Sequence, residues 1–565
     1  MSAMSNEQIF DYVIVGAGSG GCVMASRLSE DPDVRVCLLE AGKKDDNVLI
    51  HAPAGIAAMV PTRINNWAFK TVPQPGLNGR CGYQPRGKSL GGSSSLNAMM
   101  YARGHRWDYD HWQSLGNPGW SYQDVLPYFI RAEHNERIRD EYHGQNGPLN
   151  VADLQSPSRL NQAFIRAAEE NGIPFNPDVN GAEQFGVMTT QVTQKNGERC
   201  SVAKAYLTPN LHRPNLTVIT QALTHKILFE NAPGQGASSR QSSCHKPRAV
   251  GVEFSQQGKI QQIRARREVI LSAGAFGSPQ ILTLSGVGPI SELRKLGIAP
   301  VAEVPGVGEN LQDHIDLIHT YRAKSDGDTF GVSLQCGTSV AKAIPQWKSK
   351  RQGRITSNFA EGIGFIKSDP NLTVPDLELV FVIGIVDDHN RKLHLGHGFS
   401  CHVTLLRPKS RGRVTLASIR PQDDPLIDPA FFAEQEDLDV MVKAWHLQKN
   451  LMESPAFDAY RGKALYPVDA NDKAAVIEDI RNRADTQYHP VGTCKMGPDT
   501  DPTAVVDSQL RVRGVTHLRV VDASIMPTLI GANTNAPTVM IAEKAANMIR
   551  NGSTAVQASA SEVLA

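Results

Sequence analysis

Residues 10–42 read FDYVIVGAGSGGCVMASRLSEDPDVRVCLLEAG, and their pattern sets the architecture. Tyr12 to Val15 is a compact apolar run that stops on glycine, and a second run, VRVCLLE, closes on Glu40. Apolar runs of this kind suit parallel strands buried on both faces, and the stretch through Cys22, Val23, Ala25 and Leu28 between them suits a helix. The turn Gly16-Ala17-Gly18-Ser19-Gly20-Gly21 fits G-x-G-x-x-G after a strand and before a helix. Gly16 permits the tight turn, Gly18 leaves room for an approaching pyrophosphate, and Gly21 allows close helix–strand packing. Glu40 stands at the end of the second strand, about 20 residues on, where a carboxylate can accept hydrogen bonds from a ribose. A dinucleotide site is the expectation, and the motif alone does not choose between FAD and NAD.

Working outward, residues 62–120 are rich in Gly, Pro, Asn and Trp and have little periodicity. A long irregular stretch inside a compact protein usually wraps a ligand. A helix is predicted around Leu160–Asn171. TVITQALTHKILFE and AVGVEFSQQGKIQQIRARREVILSAGA alternate as antiparallel strands do. Residues 231–248 carry almost no apolar side chains and read as a mobile loop, and the small, polar tail, residues 554–565, reads as disordered.

Composition narrows the class. Lys plus Arg is 58 and Asp plus Glu 57 in 565 residues, a net charge of +1. That balance argues against a nucleic-acid surface, which needs clustered cations. The start, MSAMSNEQIF, lacks a basic segment ahead of a long apolar core, so a cytoplasmic location is expected. The eight cysteines and 17 histidines show no metal-ligand spacing, and no metal is expected.

Longer motifs identify a family. GKSLGGSSSLN (Gly87–Asn97), running on to Tyr101, Gly104 and Asp110, resembles the first signature of the glucose–methanol–choline (GMC) oxidoreductases. GAFGSPQIL (Gly274–Leu282) with Ser285-Gly286-Val287-Gly288 resembles the second, and TQYHPVGTCKMG and VVDASIMPTLIGANTNAPTVMIAEKAA resemble the catalytic and flavin-closing segments. The resemblance runs from about Asp11 to Ile549. Its wording is most similar to choline-dehydrogenase-like members and to the alcohol dehydrogenases of bacterial alkane oxidation.

The resemblance implies an α/β fold, α+β overall. A doubly wound, Rossmann-like FAD-binding domain is expected from 8–155, 200–320 and 485–553, and a substrate domain of antiparallel sheet and helices from 156–199 and 321–484. It implies FAD contacts at Gly16, Gly18, Ser19, Gly20, Gly21, Glu40, Gly92, Ser93, Asn97, Ala98, Met99, Met100, Thr224, Asp522, Ala523, Asn533 and Thr534. Some relatives carry the flavin covalently on a histidine at the position of Leu96; leucine cannot make that bond, so dissociable FAD is expected.

His489 matches the catalytic base, an imidazole suited to take a hydroxyl proton as hydride leaves for flavin N5. Asn533 matches the second catalytic position, and Glu361 is placed in the substrate pocket. The implied reaction is oxidation of a primary alcohol to its aldehyde, with electrons passed to a quinone or other acceptor. Choline dehydrogenase, an O2-using alcohol oxidase and a hydroxynitrile-lyase-like member are the alternatives. Peripheral contact with the inner face of the cell membrane is left open, although no amphipathic basic helix stands out.

Overall fold

The computed structural model describes residues 8–230, 246–325 and 328–563, with backbone only beyond 552. In chain order its first elements are β1 (Ile9–Val15), α1 (Ser19–Leu28), β2 (Val36–Glu40), α2 (Arg106–Ser114), α3 (Arg159–Glu170) and β3 (Gly186–Thr189). Next come β4 (Leu216–Thr220), β5 (Ala222–Glu230), β6 (Arg248–Gln256), β7 (Lys259–Leu271), α4 (Gly274–Leu284), β8 (Ile315–Ala323), β9 (Gly331–Val332) and α5 (Leu334–Lys350). The remainder are β10 (Ala360–Ile366), β11 (Leu377–Val382), β12 (Gly396–Leu405), α6 (Gln435–Met452), β13 (Arg461–Ala464), β14 (Asp485–Thr486), β15 (Leu518–Val520) and α7 (Asn535–Val563).

Two sheets carry the chain. The first has the order β4-β2-β1-β7-β6-β5, with β15 added to β7. β4, β2, β1, β7 and β15 run parallel; α1 packs on β1 and β2, and α7 packs against α1. Val13 and Ile14 are fully buried between these layers, which is why the run carries no polar alternation. One expectation is corrected here: residues 217–220 do not start an antiparallel meander. β4 pairs parallel with β2, Val218 opposite Leu38, and only β5, β6 and the first half of β7 are antiparallel. Alternation marked strands but not their direction.

The second sheet is antiparallel, in the order β13-β8-β12-β11-β10-β3, with β9 on β12 and β14 on β8. Its apolar face packs on α3 and α6 around Phe164, Phe381, Phe399 and Trp445. β8 belongs wholly to this sheet, so the domain boundary expected at 320 falls before Ile315. Residues 231–245 of the loop read as mobile lie outside the described residues. In the tail, the α7 backbone continues to Val563, and the last two residues lie outside. No helix among the described residues is long and apolar enough to cross a membrane.

Candidate active site

A cavity of about 1230 Å³ lies between the two sheets. At one end is the β1–α1 turn. Gly16 sits at φ +95°, and a Cβ there would lie 2.5 Å from the Ser272 carbonyl oxygen. A Cβ on Gly21 would meet the Gly16 carbonyl oxygen at 1.8 Å, and one on Gly20 the Val521 carbonyl oxygen at 2.2 Å. Gly18 differs. Its Cβ would touch nothing nearer than 3.8 Å, because that side faces the cavity. α1 has no side-chain cap at Gly18, so its first N–H groups open onto the same space, a ready anion site. Gly21 does not line the cavity; its role is the packing one.

Glu40 is buried beside this turn. Its Oε2 accepts from Ala17 N–H at 2.9 Å and its Oε1 from Gly42 N–H at 2.7 Å. Burial pushes the carboxyl up to about 7, against those two bonds. Gly92, at φ +51°, would place a Cβ 2.7 Å from Gly18 Cα, so the first family signature packs directly on the glycine turn. Ser93, Asn97, Ala98, Met99 and Met100 follow along the cavity wall, with Leu96 among them. Arg199, buried, ties this loop down through the Ser94 and Asn97 carbonyl oxygens. Asp522 ties its own turn to the start of α4: it accepts from Gly274 N–H at 2.9 Å, Ser278 Oγ at 2.6 Å and Ser524 N–H at 2.8 Å. Thr224, Ala523 and Thr534 line the cavity, while Ser19 donates to Asn535 Oδ1 at the start of α7.

The other end is built around His489, which a buried network holds from behind. Asp313 accepts from His489 N–H at 2.9 Å and fixes its main chain. His489 Nδ1 lies 2.9 Å from His314 Nδ1, and His314 Nε2 lies 3.1 Å from the Leu406 carbonyl oxygen. A carbonyl has no proton, so His314 Nε2 donates to it. Burial pushes the His314 pKa down to about 3, so that ring is neutral and its Nδ1 accepts. His489 Nδ1 must then donate. Burial, with His314 and Arg86, also holds His489 well below the ordinary histidine range, so its Nε2 carries a lone pair. Asn533 Nδ2 lies 3.3 Å from that Nε2, and Asn533 Oδ1 is buried without a protein partner. Base and amide converge on one point of the cavity.

His314 and Asp313 were not found in the sequence. The only signal was an Asp-His pair in the otherwise unremarked run ENLQDH (residues 309–314). Phe359 was missed as well. It lines the cavity at φ +65°, a costly conformation for an aromatic residue, packed edge-on against Phe330 at 4.6 Å.

Glu361 does not reach the cavity. Ala360, its neighbour in β10, lines the space, and side chains alternate along a strand. The Glu361 carboxylate accepts instead from Ser158 N–H at 2.6 Å and Ser357 Oγ at 2.9 Å. The expectation of a pocket carboxylate is therefore corrected. β10, β11 and β12 offer the cavity Ala360, Val380, Val382 and His402 but no acid. Away from the cavity, Asp140, His143 and Asp178 cluster closely enough to suggest metal ligands. Despite burial, bonds to Asp178 and Glu133 raise His143 to about 9, so the ring pairs with both carboxylates as a cation.

The GMC oxidoreductase family matches this chain twice, with its N-terminal part over residues 10–316 and its C-terminal part over residues 408–542. The chain is 46% identical to the alcohol dehydrogenase (acceptor) of Pseudomonas putida, covering 96% of each protein. It is 42% identical to the mitochondrial choline dehydrogenase of Homo sapiens, over 96% of this chain and 90% of that one. Among solved structures, pyridoxine 4-oxidase from Mesorbium loti superposes with a TM-score of 0.83 at 30% identity, covering 96% of this chain and 99% of the other. With a βαβ nucleotide turn, a second sheet across the cavity and a histidine–asparagine pair between them, the chain belongs to the GMC oxidoreductase family.

Proposed function

We propose that the protein oxidises a primary alcohol to its aldehyde with FAD, passing the electrons to a quinone or another acceptor. The observation that carries this reading is His489 Nε2 facing the Asn533 amide inside the cavity. When bound, FAD supplies the hydride acceptor. His489 Nε2 takes the hydroxyl proton, and Asn533 Nδ2 donates to the substrate oxygen and holds it in line.

The residues fit the cofactor. Gly18 leaves an open cradle, and the uncapped start of α1 suits a pyrophosphate. Glu40 would meet a ribose and Thr224 the adenine. Gly92, Ser93 and Asn97 to Met100, with Asp522, Ala523, Asn533 and Thr534, would surround the ring system. Leu96 offers no nucleophile, so FAD is held without a covalent bond. The first sheet would carry the dinucleotide and the second would cover the alcohol.

Choline is the less favoured substrate, because the wall from β10 to β12 presents no carboxylate to a quaternary ammonium. The relatives include proteins named as alcohol and as choline dehydrogenases, so the test must separate them. Purified protein is mixed anaerobically with aliphatic, aromatic and choline-type primary alcohols, then assayed with a soluble quinone and with O2. Bleaching of the flavin by an uncharged alcohol and turnover on the quinone are expected. Flavin that stays yellow with every alcohol would overturn the reading, and rapid reoxidation in air would replace the quinone with oxygen.

A further inference from the structure

Of the residues that β10, β11 and β12 turn to the cavity, Ala360, Val380 and Val382 are apolar, and His402 alone can carry a proton. The proposed alcohol reaction gives it no task. His402 Nδ1–H donates to Asp316 Oδ2, and its Nε2 has no hydrogen-bond partner among the described residues. An imidazole fixed at one nitrogen by a carboxylate and open at the other is built to exchange a proton there.

Next to His402 the same face of the sheet is acidic. Asp316 of β8, Thr404 of β12 and Glu378 of β11 stand opposite one another in one row, and Asp485 of β14 extends it past Asp316. Glu378 is two residues from Val380 and Thr404 two from His402, so this row is the next one beyond the cavity lining. Two of its three acids are matched, Asp316 with His402 and Asp485 with His389 Nε2 at 3.3 Å. Glu378 is not. It is fully buried, neither carboxyl oxygen has a partner, and the Thr404 Oγ1 beside it has none either. Burial, with the Asp316 charge, pushes the Glu378 carboxyl up to about 8, so it keeps its proton at neutral pH. Side chains opposite one another on neighbouring strands stand about 5 Å apart at Cβ, which places the Thr404 hydroxyl to pass a proton from Glu378 towards Asp316.

The cavity thus has a base at one wall and a loaded acid behind another. His489 is held below the ordinary histidine range and Glu378 above the ordinary carboxyl range. Environments that pull two groups apart in this way mark out a base and an acid. The stoichiometry has a place for both. An alcohol becomes an aldehyde by losing a hydride and a proton, and a quinone becomes a hydroquinone by gaining a hydride and a proton. We propose that His402 is the acid of the second half: its Nε2–H protonates the quinone oxygen, and the Asp316–Thr404–Glu378 row replaces that proton. The N–H bond breaks as the hydroquinone O–H bond forms, and the hydride brings both electrons. His489 releases the alcohol's proton to water and the row reloads from water, so protons balance over a turnover. This role rests on the proposed reaction, because it needs a quinone acceptor. In the competing arrangement His489 hands its own proton to the acceptor.

The test is stopped-flow reoxidation of the reduced holoenzyme, mixed anaerobically with a soluble benzoquinone or with ferricenium, which takes an electron and no proton. In H402Q the ratio of the quinone rate to the ferricenium rate should fall about 10²-fold, and in E378Q, where the stored proton is gone, about tenfold. Infrared spectra read the acid without turnover: the difference between wild type and E378Q at neutral pH should contain the C=O stretch of a protonated carboxyl. A wild-type ratio in either variant would overturn the proposal, and in H402Q it would give the proton to His489. Equal slowing with both acceptors, a missing carboxyl stretch, or a wild type that quinone fails to reoxidise would overturn it too. Should H402Q not fold, D316N cuts the same dyad and gives the same reading. Reduction with dithionite brings the protein into this assay without any alcohol. Flavin that no alcohol bleaches would therefore break the proposed function, while the ratio still decides the role of His402.

Discussion

The nucleotide end of the cavity and the reaction end are assembled in opposite ways. At the nucleotide end, Gly16, Gly18, Gly21 and Glu40 lie within one βαβ unit, where Gly21 packs on the Gly16 carbonyl and Glu40 accepts from Ala17 and Gly42 N–H, with Ser272 and Gly92 closing on the turn from farther along the chain. At the reaction end, His489 is held by Asp313 and His314, which stand about 175 residues earlier in the chain, and His314 is held in turn by a carbonyl at Leu406. Local geometry can be written into consecutive residues. A proton-transfer site needs a chain of donors and acceptors, and here the chain crosses between the two sheets.

The nucleotide end should break in two distinct ways. Gly21→Val forces a side chain into the Gly16 carbonyl, where even a Cβ would sit at 1.8 Å, and soluble protein should be lost altogether. Gly18→Val meets no protein atom closer than 3.8 Å at its Cβ, so it should fold and yet purify colourless. Soluble yield and visible flavin absorbance measure the two outcomes. A yellow G18V protein would show that the phosphates do not pass this glycine.

The reaction end should fail in chemistry and keep its colour. His489→Ala is expected to lower kcat/KM by about 10²- to 10⁴-fold at unchanged flavin content. Asn533→Ala removes one donor to the substrate oxygen and should cost about 10²-fold. The double variant should be little worse than H489A, since both act on one oxygen. Burial depresses His489, so activity on the acid side should persist below about pH 6.5, where an ordinary histidine would already be protonated. An acid limb centred at or above that value would contradict the neutral, Nδ1-protonated ring.

A smaller effect tests the relay itself. In His314→Gln the amide can still accept from His489 Nδ1 and donate toward Leu406, so kcat should stay within about threefold. His314→Leu leaves His489 Nδ1–H without an acceptor and lets the ring take the other tautomer, for which about tenfold or more in kcat is expected. A merely structural histidine would not distinguish glutamine from leucine in kcat while KM stayed constant.

This contrast also explains what could be read in advance. The strand–turn–helix around Gly16, the buried carboxylate of Glu40 beside that turn, and the His489–Asn533 pair were legible because each sits in a motif of fixed local wording. The parallel direction of β4 was not, since alternation in residues 216–220 reports half-burial and not the partner strand. His314 was not, because its significance is a contact across the fold. Glu361 misled for a related reason: whether an acid faces a pocket or a structural partner is one step of strand alternation, and composition cannot show it.

Glu361 therefore supports the mildest prediction. Its carboxyl is buried, and burial lifts it from about 4.5 to about 7. A carboxyl whose folded pKa lies above its unfolded one opposes folding when ionised. Stability should fall as pH rises from about 4.5 to about 7 and then level off, by at most about 3 kcal/mol from this group. Glu361→Gln removes that slope and keeps both partners, its amide oxygen accepting from Ser158 N–H and its NH2 group donating to Ser357 Oγ. Other buried acids such as Glu378 titrate in the same range, so the difference between variant and wild type isolates the effect. E361Q should melt higher than wild type at about pH 8 and close to it at about pH 4.5, with turnover of neutral and choline-type alcohols unchanged within about twofold. Selective loss of the choline-type substrates would instead put this carboxylate in the pocket and restore the quaternary-ammonium reading.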